Sequence, residues 1–333
     1  MSSHTLLSIC IVSFNVRSYL ERCLNSVYRT GAELEPEVLV VDNGSVDGSV
    51  EMVRERFPRV RLFTRDKNLG FAAANNVALR EAGGDYLLLL NPDTECLPGS
   101  LQTLVKHLES RPECGIVGPL LLNEDDTPQN GLRRFPTPGV VFARNTFFKH
   151  LPFLRRKIDR YHMRHVNLEE SRSVDQVSGA AMMFRRDTFE KVGLLDENFF
   201  IFFEEVDYCR RVREQGLDVY YLTDARIYHF GGKSRDGIKA EARWLHLESQ
   251  FKYLRKVMSP GAFKVFNLFF KGAFLLSNAL SAVGNILTRM IYRVRIAVNP
   301  EFRYSRKYRA QESRARFLRY LFLKKLKIFL FRV

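Results

Sequence analysis

Two adjacent glutamates close an apolar run in the stretch NFFIFFEEVDY, residues 198–208. Carboxylates set against apolar surface are costly to ionise, which raises their pKa toward values suited to accepting a proton. Glu204 and Glu205 are therefore candidates for acid–base work, with residues 199–203 as a dry wall beside them. The same stretch also fits a plain helix start, with acidic residues near the positive N-terminal end, arginines further along and Gly216 as a stop.

Two further clusters offer oxygen ligands. In VVDNGSVDGS, residues 40–49, Asp42 ends an apolar run and is followed by small turn-forming residues. An acid in that place can bind a ribose hydroxyl or a base edge, and the glycines and serines let a ligand come close. In LLLLNPDTE, residues 87–95, an apolar run is driven into Asn91, Pro92 and Asp93. Hard divalent cations take oxygen ligands, commonly one or two carboxylates together with substrate phosphates, so Asp93 can hold Mg²⁺ or Mn²⁺. Each cluster also reads as an ordinary strand–turn connection. No GxGxxG follows the first apolar run and no GxxxxGK[ST] occurs in the chain, which weighs against a dinucleotide enzyme or a P-loop NTPase.

The elements that must position these residues alternate in type. LSICIVSFN, EVLVV, VRLFTRD and DYLLLLNPD read as strands, separated by helical patterns over 16–30, in SVDGSVEMVRERF and in NLGFAAANNVALREAG. That alternation predicts an α/β fold with a doubly wound, mostly parallel, Rossmann-like sheet flanked by helices. Ligands of such sheets bind at the carboxyl ends of the strands, which marks Ser13, Asn15, Asp42, Asn43, Asp66, Asn68, Asn91 and Asp93 in advance. Beyond Pro98 the pattern is mixed and reads as an acceptor-facing half built onto the same sheet.

Charge is unevenly spread. The chain has 333 residues and a net charge of +15, yet residues 1–250 hold 33 Lys and Arg against 35 Asp and Glu, while residues 251–333 hold 19 against 2. A near-neutral body with a basic, aromatic tail points to an attachment surface, with anionic lipid as partner, rather than to a nucleic-acid groove. Residues 272–288 carry no charge, and the final YLFLKKLKIFLFRV mixes basic and bulky apolar residues. This predicts a catalytic domain over 1–255 and a basic amphipathic helical extension over 256–333 that lies on or dips into the membrane interface. A helical pair packed on the catalytic body is the alternative. The five cysteines show neither metal spacing nor a disulfide framework, and no signal peptide is expected, both in keeping with a reduced cytosolic setting.

SICIVSFN, VVDNGSVDGS, NLGFAAANN, LLLLNPDTE, SGAAMMFRR, DENFFIFFEEVDYCRR and HFGGKS follow in order over residues 8–234. Together they resemble the family 2 inverting glycosyltransferases of GT-A fold. QNGLRRFPTP and the following FARNTFF resemble the rhamnosyltransferase-like branch, which acts on lipid-linked bacterial glycans.

The resemblance implies a nucleotide-sugar site at Ser13, Asn15, Asp42 and Asn43, with Asn68 and Gly70 near the diphosphate or base. Asn91 and Asp93 stand where the family has its DxD metal motif, with Asn91 in place of the first aspartate. His229 is implied as a second metal ligand, although a histidine after a strand is often structural. Ser178 and Gly179 would shape the donor sugar pocket. Glu205 would be the general base and Glu204 would orient the acceptor, while Arg133 and Arg134 would hold an acceptor diphosphate. The implied reaction is a single in-line displacement with inversion, aided by Mg²⁺ or Mn²⁺. Its donor would be a dTDP- or UDP-linked sugar, dTDP-L-rhamnose first, and its acceptor a lipid-linked glycan at the cytoplasmic face of the membrane. A membrane-bound nucleotide-sugar or glycan-binding protein without catalysis is the other reading, kept open by Asn91. A glycosidase would need two carboxylates flanking the sugar and no nucleotide site.

Overall fold

The computed structural model describes residues 6–231 and 239–331. By packing, the chain divides into two units, Met1–Phe135 with Asp159–Ser234, and Pro136–Ile158 with Arg235–Val333.

In the first unit, strands β1 (Leu7–Ser13), β2 (Glu37–Asp42), β3 (Arg61–Thr64) and β4 (Tyr86–Leu90) alternate with helices α1 (Arg17–Thr30), α2 (Ser49–Arg56) and α3 (Phe71–Glu81). There follow β5 (Thr94–Cys96), α4 (Ser100–Ser110) and β6 (Cys114–Leu122). After two helices of the other unit, α5 (Pro138–Asn145) and α6 (Pro152–Tyr161, whose last residues return to the first unit), come β7 (Arg172–Ser173), β8 (Ala181–Arg185), α7 (Arg186–Val192), α8 (Glu204–Glu214) and β9 (Asp218–His229). The sheet order is β3-β2-β1-β4-β8-β6-β9-β5, with β7 added at β9.

The parallel arrangement expected from alternating strands and helices holds for β3-β2-β1-β4. Beyond β4 the sheet is mixed: β8 is antiparallel to β4 and β6, β9 is parallel to β6, and β5 and β7 are antiparallel to β9. Apolar residues on both faces of β1 explain its unbroken apolar run. Leu7, Ile9 and Ile11 join a core with Leu20 and Leu24 of α1 and Leu104 of α4, whereas Cys10 and Val12 join one with Ala78 of α3 and Val212 of α8. The sheet is thus covered on both sides, and its strand ends are left to carry function. All five cysteines are buried and free. Burial pushes the Cys23 and Cys209 thiols up to about 12, which keeps them protonated and unreactive.

The second unit adds α9 (Lys239–Val257), the 39-residue α10 (Pro260–Val298), α11 (Arg306–Tyr320) and α12 (Leu326–Phe331) to α5 and most of α6. The boundary expected at residue 255 falls inside α9. An aromatic cluster holds the unit together: Phe251 packs edge-on to Phe270 at 4.8 Å between ring centres, Phe274 meets Phe329 at 4.8 Å, and Trp244 meets Phe329 at 6.1 Å. Such ring pairs add to the large apolar area that each aromatic buries. The uncharged run 272–288 lies within α10, which by length and composition is long and apolar enough to cross a membrane, although only 17% of its most apolar 18-residue window is buried.

Candidate active site

Register brings the first candidates together. In the parallel half, Ser13 pairs with Asp42 and Asp42 with Thr64, so the carboxyl ends of three strands form one edge. Asp42 is buried; its Oδ1 accepts from the N–H groups of Gly44 at 3.2 Å and Ser45 at 2.9 Å, while its Oδ2 has no hydrogen-bond partner. The Ser13 hydroxyl is likewise buried and unpartnered. Asn15, exposed and in the left-handed region at φ 53°, accepts from the Val46 N–H at 2.8 Å and donates its own N–H to Ser45 Oγ at 2.9 Å.

Asn43 and Asn68 use their side chains to join two loops. The Asn43 amide donates to Asn68 Oδ1 at 2.9 Å and to the Gly70 carbonyl at 3.2 Å, and it accepts from the Leu69 N–H at 2.9 Å. Gly70 has φ 88°, and a Cβ there would lie 2.4 Å from the Phe200 carbonyl oxygen. The aromatic run is therefore pinned against this loop, with Phe71 N–H donating to the same carbonyl at 2.6 Å. Asp66 is exposed just beyond β3.

Antiparallel β8 starts where β4 ends. Ala181 pairs with Leu90, and the Asn91 N–H donates to the Ala180 carbonyl at 2.8 Å, which places Ser178 and Gly179 at the same edge. Gly179 rests against Glu205, since a Cβ on it would meet the Glu205 Cβ at 3.3 Å. Glu204 and Glu205 open α8 directly after Phe202 and Phe203, both left-handed at φ 68° and 74°. Bulky residues in that region store strain, which is tolerated where the surroundings over-determine it and which clusters at functional sites. One carboxyl oxygen of each glutamate is buried with no hydrogen-bond partner. The helix-start reading is also correct, for the first turn is acidic and Gly216 follows the end of α8 at φ 76°.

Asp93 and His229 are far apart in the chain and adjacent in space. Pairing of β5 with β9 sets Thr94 opposite His229, and the Phe230 N–H donates to the Asp93 carbonyl at 2.9 Å. Asp93 Oδ1 and His229 Nε2 lie 3.6 Å apart, with the side chains only 5% and 14% exposed. The GKS end of the HFGGKS motif lies outside the described residues. The arginine pair divides: Arg133 Nη1 donates to the Asn130 carbonyl at 2.8 Å, to Asn130 Oδ1 at 3.0 Å and to the Leu132 carbonyl at 2.5 Å, whereas Arg134 is exposed. Arg133 thus braces its own loop.

A family model described as glycosyl transferase family 2 matches residues 8–193, more than half of the chain. The chain belongs to this family. An N-acetylglucosaminyl-diphospho-decaprenol L-rhamnosyltransferase of Mycobacterium tuberculosis is 29% identical over 264 residues, covering 75% of this chain and 84% of the relative. The rhamnosyltransferase WbbL of Escherichia coli is 27% identical over 196 residues, covering 56% of this chain and 70% of the relative. Among solved structures, the mannosyltransferase PcManGT of Pyrobaculum calidifontis, in complex with GDP-Man and Mn²⁺, matches with a TM-score of 0.54 at 18% identity, over 98% of this chain and 88% of the other. The fold is of the GT-A kind, and the protein is a glycosyltransferase.

In this family 2 glycosyltransferase both glutamates are shifted toward the protonated form. Burial lifts Glu204 well above the usual glutamate value and the negative charge of Glu205 lifts it further, while burial raises Glu205 against the opposing pull of N–H groups at the helix start. Like charges in contact cannot both ionise cheaply, so the pair gives up its two protons in separate steps, the second at higher pH. The pair can therefore hold one proton for hydrogen-bond donation while its other carboxylate accepts a proton.

Asp93 and His229 fit a divalent ion as one oxygen and one nitrogen donor. Among the described residues no group of three or more His, Cys, Asp or Glu could hold a metal. An ion there would fill its shell from a diphosphate and water, as Mg²⁺ commonly does. Gln129 is a residue that sequence reading passed over as a site. Its Nε2 donates to the His229 carbonyl at 2.5 Å, which turns its Oε1 toward His229 Nδ1 at 3.0 Å. That oxygen can only accept, so Nδ1 carries a hydrogen, and in the neutral ring the lone pair is then on Nε2, on the side of Asp93. The only signal was its place at the head of QNGLRRFPTP, and nothing local links it to a histidine 100 residues away.

Proposed function

We propose that the protein is an inverting glycosyltransferase that moves a sugar, L-rhamnose from dTDP-rhamnose first, onto a hydroxyl of a lipid-linked bacterial glycan at the cytoplasmic face of the membrane. The observation that carries this reading is a set of buried, unpartnered oxygens at one sheet edge, belonging to Ser13, Asp42, Glu204 and Glu205. Buried polar atoms are nearly always paired, and a cluster left over in a native fold calls for an explanation, for which a bound ligand at a shared site is the reading adopted. Asp42 and Ser13 suit the hydroxyl and imide groups of a nucleoside. The rhamnosyltransferase relatives support the choice of sugar, and the diphospho-decaprenol in the mycobacterial relative's name supports the lipid-linked acceptor.

In this mechanism Asn43 and Asn68 hold the two nucleotide loops in register, and Ser178 and Gly179 shape the floor under the sugar. Glu204, protonated, donates a hydrogen bond that orients the acceptor. Glu205 takes the proton of the incoming hydroxyl as its oxygen bonds to the anomeric carbon, on the face opposite the departing diphosphate, so the configuration inverts. Asp93 and His229 would hold Mg²⁺ or Mn²⁺, which supplies charge neutralisation for the leaving diphosphate. Exposed Arg134 is the better placed of the two arginines to meet an acceptor diphosphate.

The test is calorimetric titration with dTDP-rhamnose, UDP-glucose, UDP-N-acetylglucosamine and UDP-galactose, each with and without Mg²⁺ or Mn²⁺. Metal-dependent binding of dTDP-rhamnose above the others, lost in Asp93→Ala and kept in Glu205→Ala, is the expected result. Binding of none of the four would sink the reading at its first step.

A further inference from the structure

Within the second unit, a cleft of about 760 Å³ opens among the segment 144–150, α9, α10 and α11. Lys149, Arg243 and Arg314 all line it, and among the described residues no aspartate or glutamate does. The nearest acid in sequence, Glu312, is paired with Arg289 at 3.2 Å. Arg314 donates to the Ser281 hydroxyl and Arg243 lies over the Phe317 ring at 4.0 Å, so these two heads are held at the cleft wall. Three cations with no acidic residue among the described lining residues repel one another: partial burial and the charges of Arg314 and Arg243 hold Lys149 below the usual lysine value.

A second observation is independent of charge. The Gln311 side chain lines the same cleft, is 8% exposed, and neither its Nε2 nor its Oε1 has a hydrogen-bond partner. A buried primary amide left unpaired is costly, and its N–H groups can donate to an anion. The walls also carry a lipid signature. Ser277, Ser281, Gly284 and Thr288 set a small, polar stripe of α10 into the cleft, while Leu276, Leu280, Val283 and Leu287 on the same helix are each 52–60% exposed.

We propose that this cleft binds the phosphate or diphosphate of an amphiphile, with Lys149, Arg243 and Arg314 around its oxygens, the Gln311 amide donating to it, and the apolar flank of α10 taking the chain. Two sources share that chemistry: a prenyl diphosphate, as in a lipid-linked acceptor, whose diphosphate would then be held here in place of Arg134, and the headgroup phosphate of an anionic phospholipid. The proposal rests on the membrane setting of the reading above, and it uses none of the residues assigned there to donor or catalysis.

The experiment titrates the full chain with inorganic pyrophosphate, with farnesyl diphosphate and with phosphatidylglycerol vesicles, and follows dTDP-rhamnose binding in parallel. In Lys149→Gln/Arg314→Gln, affinity for at least one lipid probe falls about tenfold or more, as expected when charge-assisted hydrogen bonds are lost. Lys307→Gln/Arg309→Gln, which removes the same charge outside the cleft, leaves that affinity within about twofold. Gln311→Leu weakens binding too, yet raises the melting temperature, because it deletes an unpaired amide rather than a packing contact. A loss confined to farnesyl diphosphate identifies the acceptor lipid, and one confined to vesicles identifies the bilayer. Equal losses in the two double variants would reduce the cleft to diffuse charge and overturn the proposal, as would full retention in Lys149→Gln/Arg314→Gln. Donor binding unchanged in every variant shows an intact first unit and unchanged far-ultraviolet helicity an intact second, and absence of donor binding from the wild type would count against the transferase reading alone.

Discussion

At the scale of single residues, the glutamate pair makes the sharpest demands. If Glu205 is the base, Glu205→Gln lowers sugar transfer about 10²–10⁴-fold, the range for loss of a general base, and leaves donor affinity unchanged. Because burial raises the Glu205 pKa, wild-type kcat/KM falls on the acid side at a higher pH than an ordinary glutamate would set. Glu204 has a consequence for stability with a definite sign. Its folded pKa lies above its unfolded one, so between the two the native state binds more protons and unfolding becomes easier as pH rises. Glu204→Gln, neutral at all pH, should melt close to wild type near pH 4.5 and above it at pH 8; thermal scans across that range check this, and a gap that narrows toward pH 8 would refute it. Gln129→Leu removes the acceptor that fixes the His229 tautomer, and a loss of about 10–100-fold in Mn²⁺ affinity is expected, read by calorimetry in the presence of donor. Asp42, Asp93 and the glutamates stood out in the sequence because each ends an apolar run. Gln129 did not, because its role exists only once β9 brings His229 beside it.

At the scale of elements, what could be read locally and what could not follows from where the information lies. LSICIVS and EVLVVD announced β1 and β2 through unbroken apolar runs, and the amphipathic spacing after Val16 announced α1, because both signals lie within a few residues. The direction of β8 lies in its partners instead: AMMFR looks the same whether it runs parallel or antiparallel, and only its pairing with β4 and β6 puts Ser178 and Gly179 beside Asn91. β6 lies in the stretch beyond Pro98 where the pattern is mixed, and it runs for nine residues, through Pro119 and a shift in its register with β9. The segment Pro136–Ile158 likewise gave no local sign that it packs with the C-terminal helices. Gly70 tests how firmly the loops and the aromatic run are locked. Gly70→Ala adds a methyl in the left-handed region and drives it into the Phe200 carbonyl, so a loss of stability of about 1–3 kcal/mol or more is expected, with weaker donor binding. Denaturant melts that match wild type would show the 198–203 run to be loosely held.

At the scale of the whole molecule, charge and apolar surface are segregated along the chain, and their overlap in the tail would be the physical basis for the membrane attachment proposed above. Basic residues supply the long-range attraction to an anionic surface, each worth about 1 kcal/mol close to it, and that attraction weakens with salt. The apolar face supplies the salt-resistant part. On α10, Leu280, Val283, Ile286, Leu287, Met290, Ile291 and Val294 are all 55–66% exposed, a larger contiguous apolar face than a soluble surface usually tolerates. Burying one such side chain in an apolar phase is worth about 1.5–3 kcal/mol. Leu287→Glu combined with Ile291→Glu should therefore cut binding to phosphatidylglycerol vesicles by about a hundredfold, most visibly at high salt, where the basic residues no longer compensate. Neither residue is among those placed around the phosphate, although Leu287 belongs to the apolar flank proposed for the chain, and both side chains face solvent, so the melting temperature and dTDP-rhamnose affinity should stay within error of wild type. Vesicle flotation at low and high salt separates the two contributions. Wild-type binding that vanishes entirely at high salt would assign attachment to charge alone and leave the apolar face of α10 to some other partner.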